Sequence, residues 1–253
     1  MKVACLCPTY RRPFCLRNAV ACFEAQTYEN RELIVLDDAG QYRGHEGDRW
    51  RVISVPLRFR SLPAKFNALA SLSDADAFCV WEDDDIYLPW HVEAHAHALS
   101  GGAAMSVPRR IMDACGPRGW NVRENAGCMF HASWAYSREG FDAVGGYPLT
   151  GALTFDVEML DRMRAYLGAP ADPALTHPPS YLYRWQQSGA YNGSQFGPGW
   201  YEAAGRLSGL PGDNLGTIAR IEPLMDNATR LLYADWGQVT DESPAMAGRS
   251  AGE

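Results

Sequence analysis

The stretch Ala77–Asp85, with the sequence AFCVWEDDD, decides how the chain folds, because an apolar strand leads directly into a run of acidic residues. Asp83, Asp84 and Asp85 are adjacent and repel one another, so a cation at the tip of the strand would offset the repulsion. Oxygen ligands with no cysteine or histidine beside them favour Mg²⁺ or Mn²⁺, and bound Mg²⁺ commonly shares its shell with substrate phosphates. The stretch therefore predicts a divalent metal and a diphosphate ligand. The alternative is an acidic loop that is simply solvated.

Strand and helix patterns alternate with short connections over the first hundred residues, which predicts a mostly parallel sheet flanked by helices. The predicted strands are 3–7, 32–36, 51–55 and 77–80, and the predicted helices are 16–26 and a second one capped by Ser61. In open sheets of this kind ligands bind outside the carboxyl ends of the strands. The loop Pro8–Arg12, the pair Asp37 and Asp38, and the run Asp83–Asp85 each follow a predicted strand, so we expect them along one rim.

The second half of the chain is less regular. Strands are predicted at Met105–Met112, Cys128–Tyr136 and Tyr181–Trp185, and helices at Ser137–Val144, Phe155–Leu167 and Leu215–Trp236. The sequence contains no internal repeat and no interdomain linker. We therefore expect one α/β domain over residues 1–236, followed by a disordered tail at 237–253.

Composition excludes several classes of protein. The 253 residues include 23 Lys and Arg against 30 Asp and Glu, a net charge of −7, and no basic stripe, so no nucleic-acid partner is expected. No apolar run approaches the length that spans a bilayer, and the N-terminus lacks the pattern of a signal peptide, which predicts a cytoplasmic protein. The seven cysteines lie mostly in apolar runs and are expected to be buried thiols of a reducing compartment.

Two histidines at helical spacing raise the question of a zinc site. His91 and His95 share a predicted helix face, but the glutamate that directly follows the first histidine in zinc hydrolases is absent here. We therefore expect both to be surface or lightly buried residues of a helix.

Four segments resemble the family 2 glycosyltransferases. They are Cys7–Arg11 (CPTYR), Ala25–Asp38 (AQTYENRELIVLDD), Asp83–Pro89 (DDDIYLP), and Gly145–Tyr147 (GGY) followed by Phe155–Glu158 (FDVE). The resemblance extends over residues 1–190 in order and spacing. It implies a GT-A fold with a single, mostly parallel Rossmann-like sheet, a nucleotide-binding half at 1–100 and an acceptor half at 101–236. It also implies a nucleotide-sugar donor, Mn²⁺ or Mg²⁺, a saccharide or other hydroxyl acceptor, and inversion at the anomeric carbon.

The resemblance also implies roles for individual residues. The loop of Pro8, Thr9, Tyr10 and Arg11, together with Asp38, would hold the base and ribose, and Lys65 would lie near the nucleotide. Asp83 and Asp84 would contact ribose and metal, Asp156 would be the catalytic base, and Glu158 is the reserve candidate. The motif is Asp-Asp-Asp rather than a plain Asp-x-Asp, so which two carboxylates bind metal stays open. Asp84 and Asp85 are favoured. Asp156 is also a candidate N-cap for a helix at Val157–Leu167.

Three further points stay open at the level of sequence. A carboxylate such as Asp38 can accept the imide N–H of uracil, which favours UDP, although guanine also offers donors. Asp37 is interpreted as a turn residue that satisfies its own backbone. The alternatives to a glycosyltransferase are a sugar nucleotidyltransferase, which normally has a glycine-rich loop where this chain has Pro8–Pro13, and a catalytically inactive nucleotide-binding protein. The segments 113–127 and 186–214 are the predicted acceptor loops.

Overall fold

The computed structural model describes residues 1–113, 121–128, 130–149 and 154–183, which belong to one compact unit. The strands are β1 (Val3–Thr9), β2 (Arg31–Asp37), β3 (Glu46–Gly47), β4 (Trp50–Ser54), β5 (Ala77–Val80), β6 (Ile86–Tyr87), β7 (Met105–Ser106), β8 (Arg110–Asp113), β9 (Asn121–Glu124), β10 (Ala135–Ser137) and β11 (Tyr181–Tyr183). The helices are α1 (Pro13–Glu24), α2 (Leu62–Ser71), α3 (His91–Ser100), α4 (Arg138–Ala143) and α5 (Phe155–Leu167). The predicted helix 215–236, the tail 237–253, the acceptor loop 186–214 and part of the loop 113–127 lie outside the described residues.

The main sheet has the strand order β3-β4-β2-β1-β5-β10-β7. Strands β4, β2, β1 and β5 are parallel neighbours, whereas β3 and β10 run antiparallel to the strands beside them. Strands β1 and β5 are buried along their whole length, as expected for parallel strands that are covered on both faces. The predicted α/β fold with a mostly parallel sheet flanked by helices is confirmed.

A second sheet, with the order β6-β11-β8-β9, accompanies the main sheet and was not predicted. Its first strand, β6, begins directly after Asp85 and has two residues. It pairs antiparallel with β11, which in turn pairs parallel with β8. Such short strands carry too few residues for a recognisable alternating pattern, so their pairing is fixed by tertiary contacts.

Two predicted strands of the second half were wrong in extent. Met105–Met112 is divided into β7 and β8, with Pro108 between them, a residue that cannot donate to a strand ladder. Among the described residues of Cys128–Tyr136, only Ala135 and Tyr136 lie in a strand. Cys128 ends a 3-10 turn with a positive φ of 58°, and His131–Ser133 form another 3-10 turn. The predicted cap was right, since the Ser61 hydroxyl accepts from the N–H of Ala64 at the start of α2.

The expectation that His91 and His95 lie near the surface was wrong. Both side chains are fully buried on the inner face of α3. Nδ1 of His91 lies 2.9 Å from Oγ of Ser180, and Nδ1 of His95 lies 2.8 Å from Oγ of Ser106. These hydroxyl partners make burial of the imidazoles tolerable.

The predicted burial of the cysteines is confirmed for Cys5, Cys7, Cys15, Cys22 and Cys79, which are buried and outside any disulfide, whereas Cys128 is half-buried. No helix in the described part of the chain has the length and apolar character needed to cross a bilayer.

Candidate active site

The first side of the site is the end of β1, where a buried ion pair fixes the loop. Nζ of Lys65 lies 2.6 Å from the carbonyl oxygen of Thr9 and 2.6 Å from Oδ1 of Asp38. Oδ2 of Asp38 accepts a hydrogen bond from the backbone N–H of Phe59 at 2.9 Å. Burial lowers the pKa of Lys65, and the Asp38 carboxylate opposes that shift. The pair therefore joins the ends of β1 and β2 to helix α2.

Pro8, Tyr10 and Arg11 belong to the same end of β1. Pro8 is buried within the strand, paired in register with Leu36. Tyr10 is half-buried, and the guanidinium of Arg58 lies 3.4 Å from the centre of its ring. Arg11 is exposed and has a positive φ of 55°. The loop thus presents an aromatic ring and basic groups at the rim where the sequence predicts nucleotide binding.

Asp37 is satisfied by its own turn. Its oxygens accept hydrogen bonds from the N–H groups of Ala39 at 3.0 Å and Gln41 at 2.8 Å, and from the hydroxyl of Ser54 at 2.7 Å. The prediction that Asp37 is a turn residue is confirmed. Asp38 is the residue of this pair that faces Lys65.

The side chain of Asp83 is buried in the protein. Its side chain is 0% exposed, Oδ2 accepts a hydrogen bond from Oγ1 of Thr9 at 2.6 Å, and Oδ1 lies 2.5 Å from Nη2 of Arg12. Burial raises the pKa of Asp83, while Arg12 opposes the shift. The structure therefore brings Asp83 together with Thr9, as predicted for one site, and adds Arg12, which the sequence analysis did not single out.

A group of carboxylates at the end of β5 can hold a metal ion. One oxygen each from Glu82, Asp84 and Asp85 lies within 4.8 Å of the others. Hard oxygen donors at this spacing suit Mg²⁺ or Mn²⁺. Asp84 and Asp85, the favoured ligands, are in this group, whereas Asp83 is not. Glu82 is a member that the sequence analysis missed, because its proximity to Asp84 and Asp85 depends on the turn that follows it.

Glu82 connects this carboxylate group to a polar chain in the core. Nδ1 of His131 lies 3.2 Å from Oε1 of Glu82, and Nε2 of the same ring lies 2.6 Å from the hydroxyl of Tyr147, which donates to the hydroxyl of Tyr136. Burial, followed by the charge of Asp84, raises the pKa of Glu82 to about 8. Burial also lowers the pKa of His131 to about 4. A neutral imidazole is therefore favoured between Glu82 and Tyr147.

Asp156 lies in the first turn of α5, beside this chain of groups. Helix α5 begins at Phe155 with Thr154 as its N-cap, so the candidate role of Asp156 as an N-cap was wrong. Oδ1 of Asp156 accepts from the N–H of Val157 at 2.8 Å. The negative charge of Asp156 adds to the rise that burial causes in the pKa of Glu82, and it opposes the lowering that burial causes in the pKa of His131. Asp156 is thus close enough to act electrostatically on Glu82. Glu158 lies two residues further along the same helix.

Comparisons with known proteins agree with this architecture. The profile of Glycosyl transferase family 2 matches residues 5–145, which is more than half of the 253 residues. No curated protein sequence matches the chain. The fold is similar to S. aureus TarS 1-349 in complex with UDP-GlcNAc, with a TM-score of 0.59 and 12% identity over 80% of this chain and 64% of that one.

A second similar structure is the mannosyltransferase PcManGT from Pyrobaculum calidifontis in complex with GDP-Man and Mn²⁺. The TM-score is 0.53 and the identity 12% over 74% of this chain and 58% of that one. The chain spans less than two-thirds of the length of either structure. These similarities confirm the predicted GT-A fold. Because the family profile covers residues 5–145, more than half of the sequence, the chain belongs to glycosyl transferase family 2.

Proposed function

We propose that the protein is a metal-dependent, inverting glycosyltransferase that moves a sugar from a nucleoside-diphosphate sugar, with UDP favoured, to an acceptor hydroxyl. The observation that carries the proposal is the carboxylate group of Glu82, Asp84 and Asp85 at the carboxyl end of the parallel sheet. This is the edge at which ligands of open α/β sheets bind. Membership of family 2 and the donor-bound state of both similar structures support the same function.

Asp84 and Asp85 are the proposed ligands of Mn²⁺ or Mg²⁺, with Glu82 as a third oxygen donor in reach. A divalent cation at this point acts as a Lewis acid that stabilises negative charge on a leaving diphosphate. Both Glu82 and Asp84 are half-buried. Tyr181 donates a hydrogen bond to Oδ2 of Asp85 at 2.5 Å and orients that carboxylate.

The nucleotide is proposed to lie on the loop of Pro8, Thr9, Tyr10 and Arg11. Lys65 and Asp38 form the buried base of this loop, and Asp83 fixes the Thr9 side chain. Asp38 is the proposed partner of the base, since a carboxylate can accept the imide N–H of uracil, and this chemistry is the basis for favouring UDP over other donors.

Asp156 is the proposed general base. Inversion requires the acceptor hydroxyl to attack the anomeric carbon from the face opposite the leaving diphosphate, through an oxocarbenium-like transition state. A carboxylate on that face takes the acceptor proton as the new bond forms. The carboxylate of Asp156, at the start of α5, acts on Glu82 electrostatically from the acceptor half of the chain, which suits this position. The described cysteines form no disulfide, which fits a cytoplasmic protein.

The experiment that tests the proposal measures nucleoside diphosphate release. The full chain is incubated with UDP-glucose, UDP-galactose, UDP-GlcNAc, GDP-mannose or a dTDP-sugar, with Mn²⁺ or with EDTA, and with a panel of saccharide acceptors. We expect metal-dependent release with one donor, together with a product of inverted anomeric configuration. Pyrophosphate release from a nucleoside triphosphate and a sugar 1-phosphate would identify a nucleotidyltransferase instead. Donor binding without any turnover would identify an inactive nucleotide-binding protein.

A further inference from the structure

The guanidinium of Arg12 bridges two carboxylates of the acidic run. Nη2 lies 2.5 Å from Oδ1 of Asp83, and Nη1 lies 2.5 Å from Oδ2 of Asp84. A guanidinium presents its N–H groups as a rigid fork, and here different nitrogens contact different residues. One contact can therefore be released while the other is kept.

The two contacts of Arg12 lie in different environments. The side chain of Asp83 is 0% exposed and also accepts a hydrogen bond from Thr9. The side chain of Asp84 is 16% exposed and belongs to the carboxylate group with Glu82 and Asp85. The contact with Asp83 is thus built into the core. The contact with Asp84 is at the point where a divalent cation would arrive.

We propose that Arg12 and the divalent cation compete for Asp84. In the metal-free protein Arg12 offsets the charge of Asp84; when the cation binds, Arg12 gives up Asp84 and keeps Asp83. Arg12 is therefore a positioning residue that sets the affinity for metal. The inference rests on the proposed function for the assignment of Asp84 as a metal ligand.

Electrostatics give the reason for competition. Two cations held on the same carboxylate repel each other at a separation of a few ångströms, and the repulsion is strong in a partly buried site. Glu82 and Asp85 lie beside Asp84 in the carboxylate group, so a divalent cation bound there gains two further carboxylate ligands and carries twice the charge of the guanidinium. The ion is consequently the stronger competitor at Asp84, and Asp83 keeps the guanidinium.

The test measures binding of Mn²⁺ alone, without nucleotide, by the electron paramagnetic resonance signal of the free ion. Arg12→Gln is expected to bind Mn²⁺ about tenfold more tightly than the wild type, because the competing charge is removed. Arg11→Gln is the matched control. It removes the same charge one residue away, where the guanidinium lies 5.3 Å from the Tyr10 ring centre, and should change the affinity less than about twofold. Unchanged or weaker binding by Arg12→Gln, or an equal gain in Arg11→Gln, would overturn the inference.

A second measurement uses the wild type, because Arg12→Gln takes a partner from buried Asp83 and risks misfolding. Crystals of the wild-type protein are soaked in MnCl₂ alone. We expect Arg12 to remain on Asp83 while its distance to Asp84 exceeds a salt-bridge contact. Bound Mn²⁺ with both Arg12 contacts intact contradicts the inference. Absence of Mn²⁺ from the carboxylate group overturns it together with the metal site, whereas normal competition without sugar transfer overturns the proposed function alone.

Discussion

Oη of Tyr181 lies 2.5 Å from Oδ2 of Asp85, and both side chains are almost completely buried. Tyr181 belongs to β11 of the second sheet, 96 residues further along the chain than Asp85. Strand β11 pairs with β6, which starts directly after Asp85. The second sheet therefore fixes the direction in which the acidic run leaves the main sheet.

Replacing Tyr181 by Phe removes the hydrogen-bond donor to Asp85. The free energy of unfolding should fall by about 1.5–3 kcal/mol, the usual value for a hydrogen bond to a charged group. The affinity for Mn²⁺ should fall about tenfold or more, because a group that orients a ligand is lost. Urea unfolding and a Mn²⁺ titration measure the two effects. Tyr183→Phe, the same change in the same strand, is the control, and an equal loss of Mn²⁺ affinity there would contradict the role of Tyr181.

Asp156→Asn tests the proposed general base. The change keeps the size of the side chain and removes its ability to take a proton, so turnover should drop by about 10²–10⁴-fold. Binding of UDP with Mn²⁺ should stay within about twofold of the wild type, since the nucleotide is proposed to lie on the β1 loop. Steady-state assays of UDP release and calorimetry measure the two quantities.

Glu158→Gln is the control for that experiment, because Glu158 is the other carboxylate in the first turn of α5. We expect it to retain most of the turnover. Full activity in Asp156→Asn would contradict the role of Asp156 as the base. A loss of activity confined to Glu158→Gln would assign that role to Glu158.

The ion pair of Lys65 and Asp38 is a stability element, because both side chains are 0% exposed. Lys65→Met should lower the free energy of unfolding by about 3–5 kcal/mol, since it leaves a buried carboxylate without its counter-ion. The double variant Lys65→Met with Asp38→Asn removes both charges and should recover part of that loss. Urea unfolding of the three proteins gives the comparison. A double variant less stable than Lys65→Met alone would show that the charge of Asp38 is not the cause.

The sequence predicted the main sheet because β1, β2 and β5 are continuous apolar runs whose polar residues begin where the strands end. The same placement of polar residues at the ends of apolar strands also predicted that Thr9, Asp38 and Asp83 would lie along one rim. Thr9 and Asp83 are in direct contact, and Lys65 joins Thr9 to Asp38. This prediction required only that the strands be parallel, because the carboxyl ends of parallel strands meet at one edge of the sheet.

The rest of the site depends on contacts that leave no local pattern. Strand β6 has two residues and pairs with β11, so neither the second sheet nor the contact of Tyr181 with Asp85 could be predicted. The directions of the side chains in the acidic run depend on a turn after Glu82. Asp83 is buried against Arg12, whereas Glu82, Asp84 and Asp85 have oxygens close to one another. Burial of His91 and His95 likewise depends on Ser180 and Ser106, which come from other elements.

Acid should destabilise the protein through His91 and His95. Burial lowers the pKa of His95 to about 3 and that of His91 well below its ordinary value. Above about pH 6.5 both histidines are neutral in the folded and the unfolded chain; as pH falls below that value, only the unfolded chain takes up protons. Each histidine should therefore cost about 1.4 kcal/mol of stability per pH unit between about pH 6 and pH 4.5.

The measurement is the free energy of unfolding in urea at several pH values from 7 to 5. Other groups titrate in the same range, so the contribution of one histidine is the difference between the wild type and His95→Gln. That variant should lose about 1.4 kcal/mol less per pH unit than the wild type. Identical slopes in the two proteins would contradict the argument.

Gly146 precedes Tyr147, whose hydroxyl contacts His131. Comparing Gly146 with its neighbour Gly145 distinguishes the cost of backbone strain from the cost of a steric clash. Gly145 and Gly146 have φ angles of +77° and +70°, but a Cβ on Gly146 would lie 2.8 Å from Oδ1 of Asn67, whereas one on Gly145 would meet nothing within 4 Å. Asn67 holds Tyr147 by accepting from its N–H at 2.8 Å and donating to its carbonyl at 2.9 Å. An added methyl group at position 146 must therefore displace this pair.

Gly145→Ala should cost only the strain of the left-handed backbone, about 1–2 kcal/mol. Gly146→Ala should cost the same strain and at least about 1 kcal/mol more, because the hydrogen bonds between Asn67 and Tyr147 are disturbed. Urea unfolding of both variants gives the difference directly. Equal losses would mean that Asn67 moves aside without cost. A larger loss in Gly146→Ala should be accompanied by reduced UDP release, because the hydroxyl of Tyr147 reaches Nε2 of His131, whose other nitrogen faces Glu82.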